Sequence, residues 1–234
     1  MATRINKFLS EAGVCSRRQA DKAIEYGLVT VNGIKAVKGQ QVEGNEEIVY
    51  MGKKVTHNEP PVLIAYNKPV GIVCTAEKKE KNNIVDHINY PVRIYPVGRL
   101  DKDSHGLILL TNQGDLVNEI MKASKFHEKE YFVTVNKDIT DEFIEDMMSG
   151  VYLEELEVTT RECQVIKLSD KTFSIILTQG LNRQIRRMCE ALGYKVIDLK
   201  RVRIMNIGLG NLKEDTYREL TEQEMKDLLE GLNM

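Results

Sequence analysis

The stretch that most restricts this chain is Gly98-Arg99-Leu100-Asp101-Lys102-Asp103-Ser104-His105-Gly106, which runs straight into Leu107-Ile108-Leu109-Leu110-Thr111-Asn112. Residues 94–97 ahead of it and 107–111 behind it read as short apolar strands bounded by turn formers. Two buried strands joined by a polar loop demand a sheet that carries the loop at one end. Such a loop suits chemistry, because rigid strands hold it while its polar groups face a substrate. An ordinary turn explains the same residues: Gly98, Asp103 and Gly106 form turns readily, and Asp101 is then a solvated turn carboxylate. Other parts of the chain decide between these readings.

Toward the N-terminus, Ile5, Phe8, Leu9 and Ala12 fall at helical spacing, and Gly13 ends that helix. Ser16 with Gln19 three residues on is a capping box for a second helix, with Ala20, Ala23 and Ile24 inward and Gly27 as its stop. Arg17 and Arg18 occupy the first turn, where cations oppose the helix dipole. A docked phosphate would bridge both guanidinium groups and the free backbone N–H groups; a solvated arginine pair fits equally well. Residues 28–31, the turn Asn32-Gly33 and residues 34–37 read as a hairpin. A strand over 48–51, with Lys53-Lys54, closes a unit of about fifty residues. His57-Asn58-Glu59-Pro60-Pro61 follows as a short stiff linker.

The remainder reads as a larger domain. Strands are expected over 62–66, 72–75, 131–135, 160–168, 172–177, 196–199 and 202–207, with an exposed loop over 76–83. Helices are expected over 114–121, over 141–148 after Thr140, and after the capping box Thr221/Glu224. A further helix, capped by Asn182 and stopped by Gly193, carries Ile185, Met188, Cys189 and Leu192 as one apolar stripe. Around its wheel Arg183 and Arg187 point away from the stripe, toward solvent or phosphates. Arg186 lies near the stripe's border, best placed to reach a half-buried partner.

Charge narrows the function further. Residues 1–57 carry nine Lys/Arg against six Asp/Glu, and residues 183–203 carry seven against two, while the whole chain is at −2. Segregation of this kind suits one basic face for a polyanion. No apolar run approaches the ~18 residues of a membrane helix, and the N-terminal segment meets polar residues too early for a signal peptide. Cys15, Cys74, Cys163 and Cys189 form no CxxC pair, and the four histidines are scattered. Reduced packing cysteines of a cytoplasmic protein are expected, and no metal site. No Walker-type glycine loop and no order of Ser, His and Asp suggesting acyl transfer is present. What remains is one carboxylate loop, one arginine helix and a basic N-terminal unit. A carboxylate kept ionised by a nearby guanidinium can act as a nucleophile without metal or cofactor, and Asp101 with Arg186 meets that need.

Helix, helix with Ser-Arg-Arg, then Leu-Val-Thr-Val-Asn-Gly resembles, over residues 4–51, the RNA-binding domain named after ribosomal small-subunit protein four. Gly98-Arg99-Leu100-Asp101 with Gly106-Leu107 and Leu110-Thr111-Asn112 resembles the catalytic motif of pseudouridine synthases. Asn67-Lys68-Pro69 with Gly71, Lys129-Glu130-Tyr131, and Gly180-Leu181-Asn182-Arg183-Gln184-Ile185-Arg186-Arg187-Met188 resemble that family's other motifs. The wording is most similar to the ribosomal-RNA branch with the small domain attached, and within it to the F-type, large-subunit group.

The resemblance implies an α+β chain: a small RNA-binding domain over 1–55, a linker over 56–61, and a catalytic domain over 62–234 with a mixed, mainly antiparallel sheet flanked by helices. It implies isomerisation of uridine within ribosomal RNA, with no cofactor. The base is detached, turned and rejoined through a ring carbon. Asp101 would start the reaction, Tyr131 would stack on the flipped base, and Arg186 would keep Asp101 ionised. RNA contacts would come from Arg17, Arg18, Asn32, Lys68, Arg99, Arg183 and Arg187. The partner implied is ribosomal RNA of the large subunit, with a tRNA as a second candidate, bound by a monomer. Two rival readings stay open: a non-enzymatic ribosome-assembly factor, for which Asp101 would be dispensable, and a metal-dependent nuclease using Asp101 and Asp103.

Overall fold

The computed structural model describes residues 2–56 and 60–233. Of the linker, His57, Asn58 and Glu59 lie outside the described residues. Two compact units result, one of residues 1–62 with the segments 90–94 and 112–114, the other of residues 63–89, 95–111 and 115–234.

In the first unit, helix α1 (Ile5–Glu11) and helix α2 (Arg17–Glu25) stack over a small antiparallel sheet of β1 (Val29–Val31), β2 (Ile34–Lys35), β3 (Ile48–Tyr50) and β4 (Lys53–Lys54). The Ser16 hydroxyl accepts from the Gln19 N–H, and the Gln19 side chain accepts from the Ser16 N–H, closing the expected capping box. Ile5, Leu9, Ala20, Ile24, Val29 and Ile48 form the core of this unit. Asn32 and Gly33 take positive φ at the hairpin turn, as a two-residue connection between twisted strands requires.

The second unit is built on a nine-stranded sheet. Its strands are β5 (Leu63–Lys68), β6 (Tyr95–Val97), β7 (His105–Thr111), β8 (Lys129–Val135), β9 (Gln164–Lys167), β10 (Thr172–Leu177), β11 (Val196–Ile204), β12 (Ile207–Gly208) and β13 (Tyr217–Glu219). The main path runs β9-β10-β8-β11-β7-β5-β13. Every pair is antiparallel except β11 with β7, which meet in parallel only through Lys200–His105 and Arg201–Gly106. Farther along, the same edge of β7 pairs instead with β6, at Leu109 to Thr111. The sheet therefore forks at β7, and the loop 98–104 that joins β6 to β7 hangs over the fork.

Helices α3 (Ile84–Ile88), α4 (Gly114–Met121), α5 (Asp141–Ser149), α6 (Gln184–Ala191) and α7 (Glu222–Leu232) complete the unit. Phe143, Met147, Phe173, Ile175, Met188 and Cys189 centre one core; Leu107, Leu109, Ile120, Ile204, Ile207 and Leu228 centre a second. No helix among the described residues is long and apolar enough to cross a membrane.

Three sequence expectations change. Residues 72–75 form no strand: Val73 makes one isolated bridge to Asn83, and Asn83, buried at the end of the expected exposed loop, caps α3, which the sequence did not reveal. Residues 196–204 form one strand rather than two, because Lys200 and Arg201, which look like a break, pair with β7. Asn182 does not cap α6; Arg183 holds that position at φ +50°, and the Asn182 carbonyl instead accepts from Arg187 Nε at 3.0 Å.

Candidate active site

The loop is fastened from below. Lys68, on the last residue of β5, is fully buried, and its Nζ donates to the Ser104 carbonyl at 2.7 Å and the Pro69 carbonyl at 2.8 Å. Burial pushes its ammonium group below the usual lysine range. A side chain so placed cannot reach RNA, which corrects the phosphate contact expected for it. The Gly71 N–H donates to the Lys102 carbonyl, and the Ser104 N–H to the Asp101 carbonyl, giving a turn over 101–104. At Gly106 (φ +102°) an added Cβ would sit 2.3 Å from the Arg201 carbonyl oxygen, so the parallel contact of β7 with β11 admits only glycine there.

From the side, the loop is held by the arginines ahead of and within α6. Arg183 grips Asp103 with two hydrogen bonds, of 3.0 and 2.9 Å, and lies 3.5 Å from Asp101 Oδ2. Arg186 donates through Nη2 to the Asp103 carbonyl at 2.9 Å and the Ser104 hydroxyl at 3.1 Å. Its Nε lies 3.4 Å from Asp103 Oδ2, near enough to pair but not aligned to donate. The wheel thus placed Arg186 against the loop but gave it the wrong carboxylate: Arg183, turned inward by its left-handed backbone, is the guanidinium beside Asp101. The hydrogen bond from Arg183, foremost, holds the Asp103 carboxyl below its ordinary range. Arg187 pairs with Glu155 rather than facing open solvent.

A cavity of about 540 Å³ opens beneath the loop, within the range of small-molecule sites. Asp101, Arg99, Tyr131 and Arg183 line it, together with Lys129 and Arg201 from the sheet floor. Arg99 is exposed at its mouth. The floor owes its chemistry to an irregular register. Glu130 pairs with Arg203 and the next residue, Tyr131, with Arg201, so Val202 is an extra residue in β11. This bulge reverses the alternation of β11. Arg203 goes to one face, where it binds Glu128 and Glu130, each at 3.0 Å. Arg201 goes to the other, beside Tyr131.

Arg201 is buried, donating from Nε to the Leu107 carbonyl at 2.6 Å and from Nη1 to the Arg99 carbonyl at 3.3 Å; its buried Nη2 has no partner. Burial foremost, then Arg201, lowers Lys129 to about 8. Both residues escaped the sequence reading of the site. The signal that could have found Lys129 was its spacing of two from Tyr131 on a strand, which gives both one face. Arg17 and Arg18 are exposed in the first unit, and the Asn32 amide oxygen is occupied by the Glu47 N–H at 2.9 Å. Among the described residues no group of three or more His, Cys, Asp or Glu could hold a metal ion.

Comparison with known proteins adds the family. The model described as RNA pseudouridylate synthase matches residues 62–191, and the S4 domain model matches residues 3–48. The dual-specificity RNA pseudouridine synthase RluF of Salmonella typhi is 53% identical over 97% of this chain and 78% of its own length. The ribosomal large subunit pseudouridine synthase B of Bacillus subtilis is 38% identical over 96% and 95%. A solved structure described as a pseudouridylate synthase superposes with a TM-score of 0.71 at 30% identity, covering 96% of this chain and 99% of that one.

Proposed function

The chain belongs to the RNA pseudouridylate synthase family, and from that premise we propose that it isomerises a uridine of large-subunit ribosomal RNA, with Asp101 as the initiating carboxylate. The observation that carries this reading is the placement of Asp101 on the wall of a cavity that also holds Tyr131, with a guanidinium 3.5 Å away. Arg183 sets a positive charge beside that carboxylate, and the clamps on the loop fix where it points. A base inside a folded RNA cannot reach such a wall unless it is flipped out of its stack. Stacking on Tyr131, worth about 1–3 kcal/mol, offsets part of that cost. Arg99 at the cavity mouth suits a flanking phosphate. Arg186 acts on this reading by shaping the loop through Asp103.

The family matches over residues 3–48 and 62–191 support a division of labour in which residues 1–55 bind RNA, through Arg17, Arg18 and Asn32, residues 62–234 carry out the chemistry, and 56–61 join them. Action as a monomer in the cytoplasm is part of the same proposal. Because relatives such as the Salmonella protein are named for dual specificity, a tRNA is the second substrate to be tried.

The test is tritium release from ribosomal and transfer RNA transcripts labelled at C5 of uracil, comparing the native chain with Asp101→Asn. Release by the native chain, with a rate at least ~10⁴-fold lower in D101N and RNA binding retained, is the expected result. Equal release by both proteins, or none from any transcript, overturns the assignment.

A further inference from the structure

The cavity floor carries more positive charge than the structure needs. Of the described residues that line the cavity, Asp101 is the single carboxylate, against Arg99, Lys122, Lys129, Arg183 and Arg201. Arg183 is taken up by Asp103 and Asp101. Glu128 and Glu130, which flank Lys129 in sequence, are drawn to the opposite face by Arg203, and Glu130 also accepts from Ser174 at 3.0 Å. Lys129 makes one long hydrogen bond, 3.3 Å to the His127 carbonyl, and Arg201 keeps one buried N–H₂ arm unpartnered. Two desolvated cations side by side, without a counter-ion, are costly. Buried polar groups left unsatisfied call for an explanation.

We propose that Lys129, backed by Arg201, is the cation that meets the negative charge carried by the uracil ring while it is detached from its ribose. This inference rests on the isomerase reading above. When the C1′–N1 bond breaks, its electron pair stays on the ring and spreads to O2 and O4, while C1′ gains a bond to a carboxylate oxygen of Asp101. On rejoining, ring carbon C5 supplies the pair to C1′, the Asp101 carboxylate departs, the C5 proton leaves to water, and N1 takes up a proton from water, so that the ring ends neutral. Uracil is neutral before the break and anionic after it. A fixed cation beside it therefore stabilises the detached state and not the bound substrate, which is the condition for raising a rate. Phosphate is the poorer occupant. Lys129 and Arg201 lie on the sheet floor beside Tyr131, which the base must reach, while the RNA backbone stays at the mouth with Arg99.

The experiment measures single-turnover rates on ribosomal RNA labelled at C5, and RNA affinity by filter binding, for the native chain, Lys129→Met and Lys129→Arg. K129M is expected to lose ~10²-fold or more in rate with affinity within threefold, and K129R to recover most of it. RNA bearing 5-fluorouridine at the target, whose base departs more easily as an anion, should narrow the gap between native and K129M, read as rearranged nucleoside after digestion. A native rate in K129M, a loss confined to affinity, or an unchanged gap with 5-fluorouridine overturns the proposal. An inactive native chain would instead sink the isomerase reading itself.

Discussion

The wall and the floor of the cavity treat charge in opposite ways. On the wall, Asp101 and Asp103 face Arg183 and Arg186 with every charge paired, and a carbonyl and a hydroxyl accept from Arg186 Nη2, though its Nε makes no hydrogen bond. On the floor, Lys129 and Arg201 stand together with no carboxylate of their own, the neighbouring Glu128 and Glu130 being paired with Arg203 on the opposite face. Answered charges fix geometry, and here they aim a loop. Unanswered charges are a cost carried in the resting protein until something anionic arrives. The difference separates residues that aim Asp101 from residues left without a partner beside it.

The contrast breaks most severely where wall and floor touch. Gly106→Ala places a Cβ 2.3 Å from the Arg201 carbonyl in a backbone conformation that disfavours any side chain. A loss of ~3 kcal/mol or more is expected, from the strain and the displaced parallel pair together, measured by urea denaturation. A stability equal to the native chain would mean that the two strands part freely.

Asp103→Asn tests the wall alone. It removes the partner of Arg183 without touching Asp101, so a rate loss of ~10–10²-fold from a mis-aimed loop is expected, with RNA affinity little changed. The pH dependence has a definite sign. The Asp103 carboxyl is held below its ordinary value, so its contribution to stability is present above that ordinary range and is lost as pH falls through the lower, folded value. D103N should flatten this acid limb of the melting curve. An identical limb in both proteins would remove Asp103 from the account.

Lys129→Met tests the floor, and its effect on stability is small and of opposite sign. Burial lowers Lys129 to about 8 in the folded chain, against ~10.4 unfolded. The folded protein therefore gives up this proton first as pH rises, and the penalty is full below about 8 and fades between there and the unfolded value. K129M should melt a few degrees higher near pH 7, with the advantage shrinking in alkaline buffer. A lower melting temperature at pH 7 would show that Lys129 stabilises the fold, and the contrast would fail.

Much of this architecture was legible because its causes are local. The capping boxes at Ser16/Gln19 and Thr221/Glu224 and the helix start at Gly114 depend on residues three or four apart, and the sequence displays them. The loop's strands were legible from their apolar runs. What escaped depends on distant partners. Arg201 is buried because the carbonyls of Leu107 and Arg99, far off in sequence, take two of its three arms, and nothing near Arg201 announces this. Lys68, expected to contact RNA, is instead sealed beneath the loop by the distant Ser104 carbonyl. The exchange of Arg183 for Arg186 beside Asp101 came from one residue in a left-handed conformation, which a helical wheel cannot represent.

One edge of β7 serves two strands, β11 at its start and β6 farther on, and the loop between them is tied at both ends by main-chain hydrogen bonds. The two ends of the loop are thus set by backbone, and side chains have only to aim the few residues between them. Arg99 and Lys102, which point outward from this frame, can vary at little structural cost. Such rim positions are where a change in RNA affinity is expected without a change in the fold behind them.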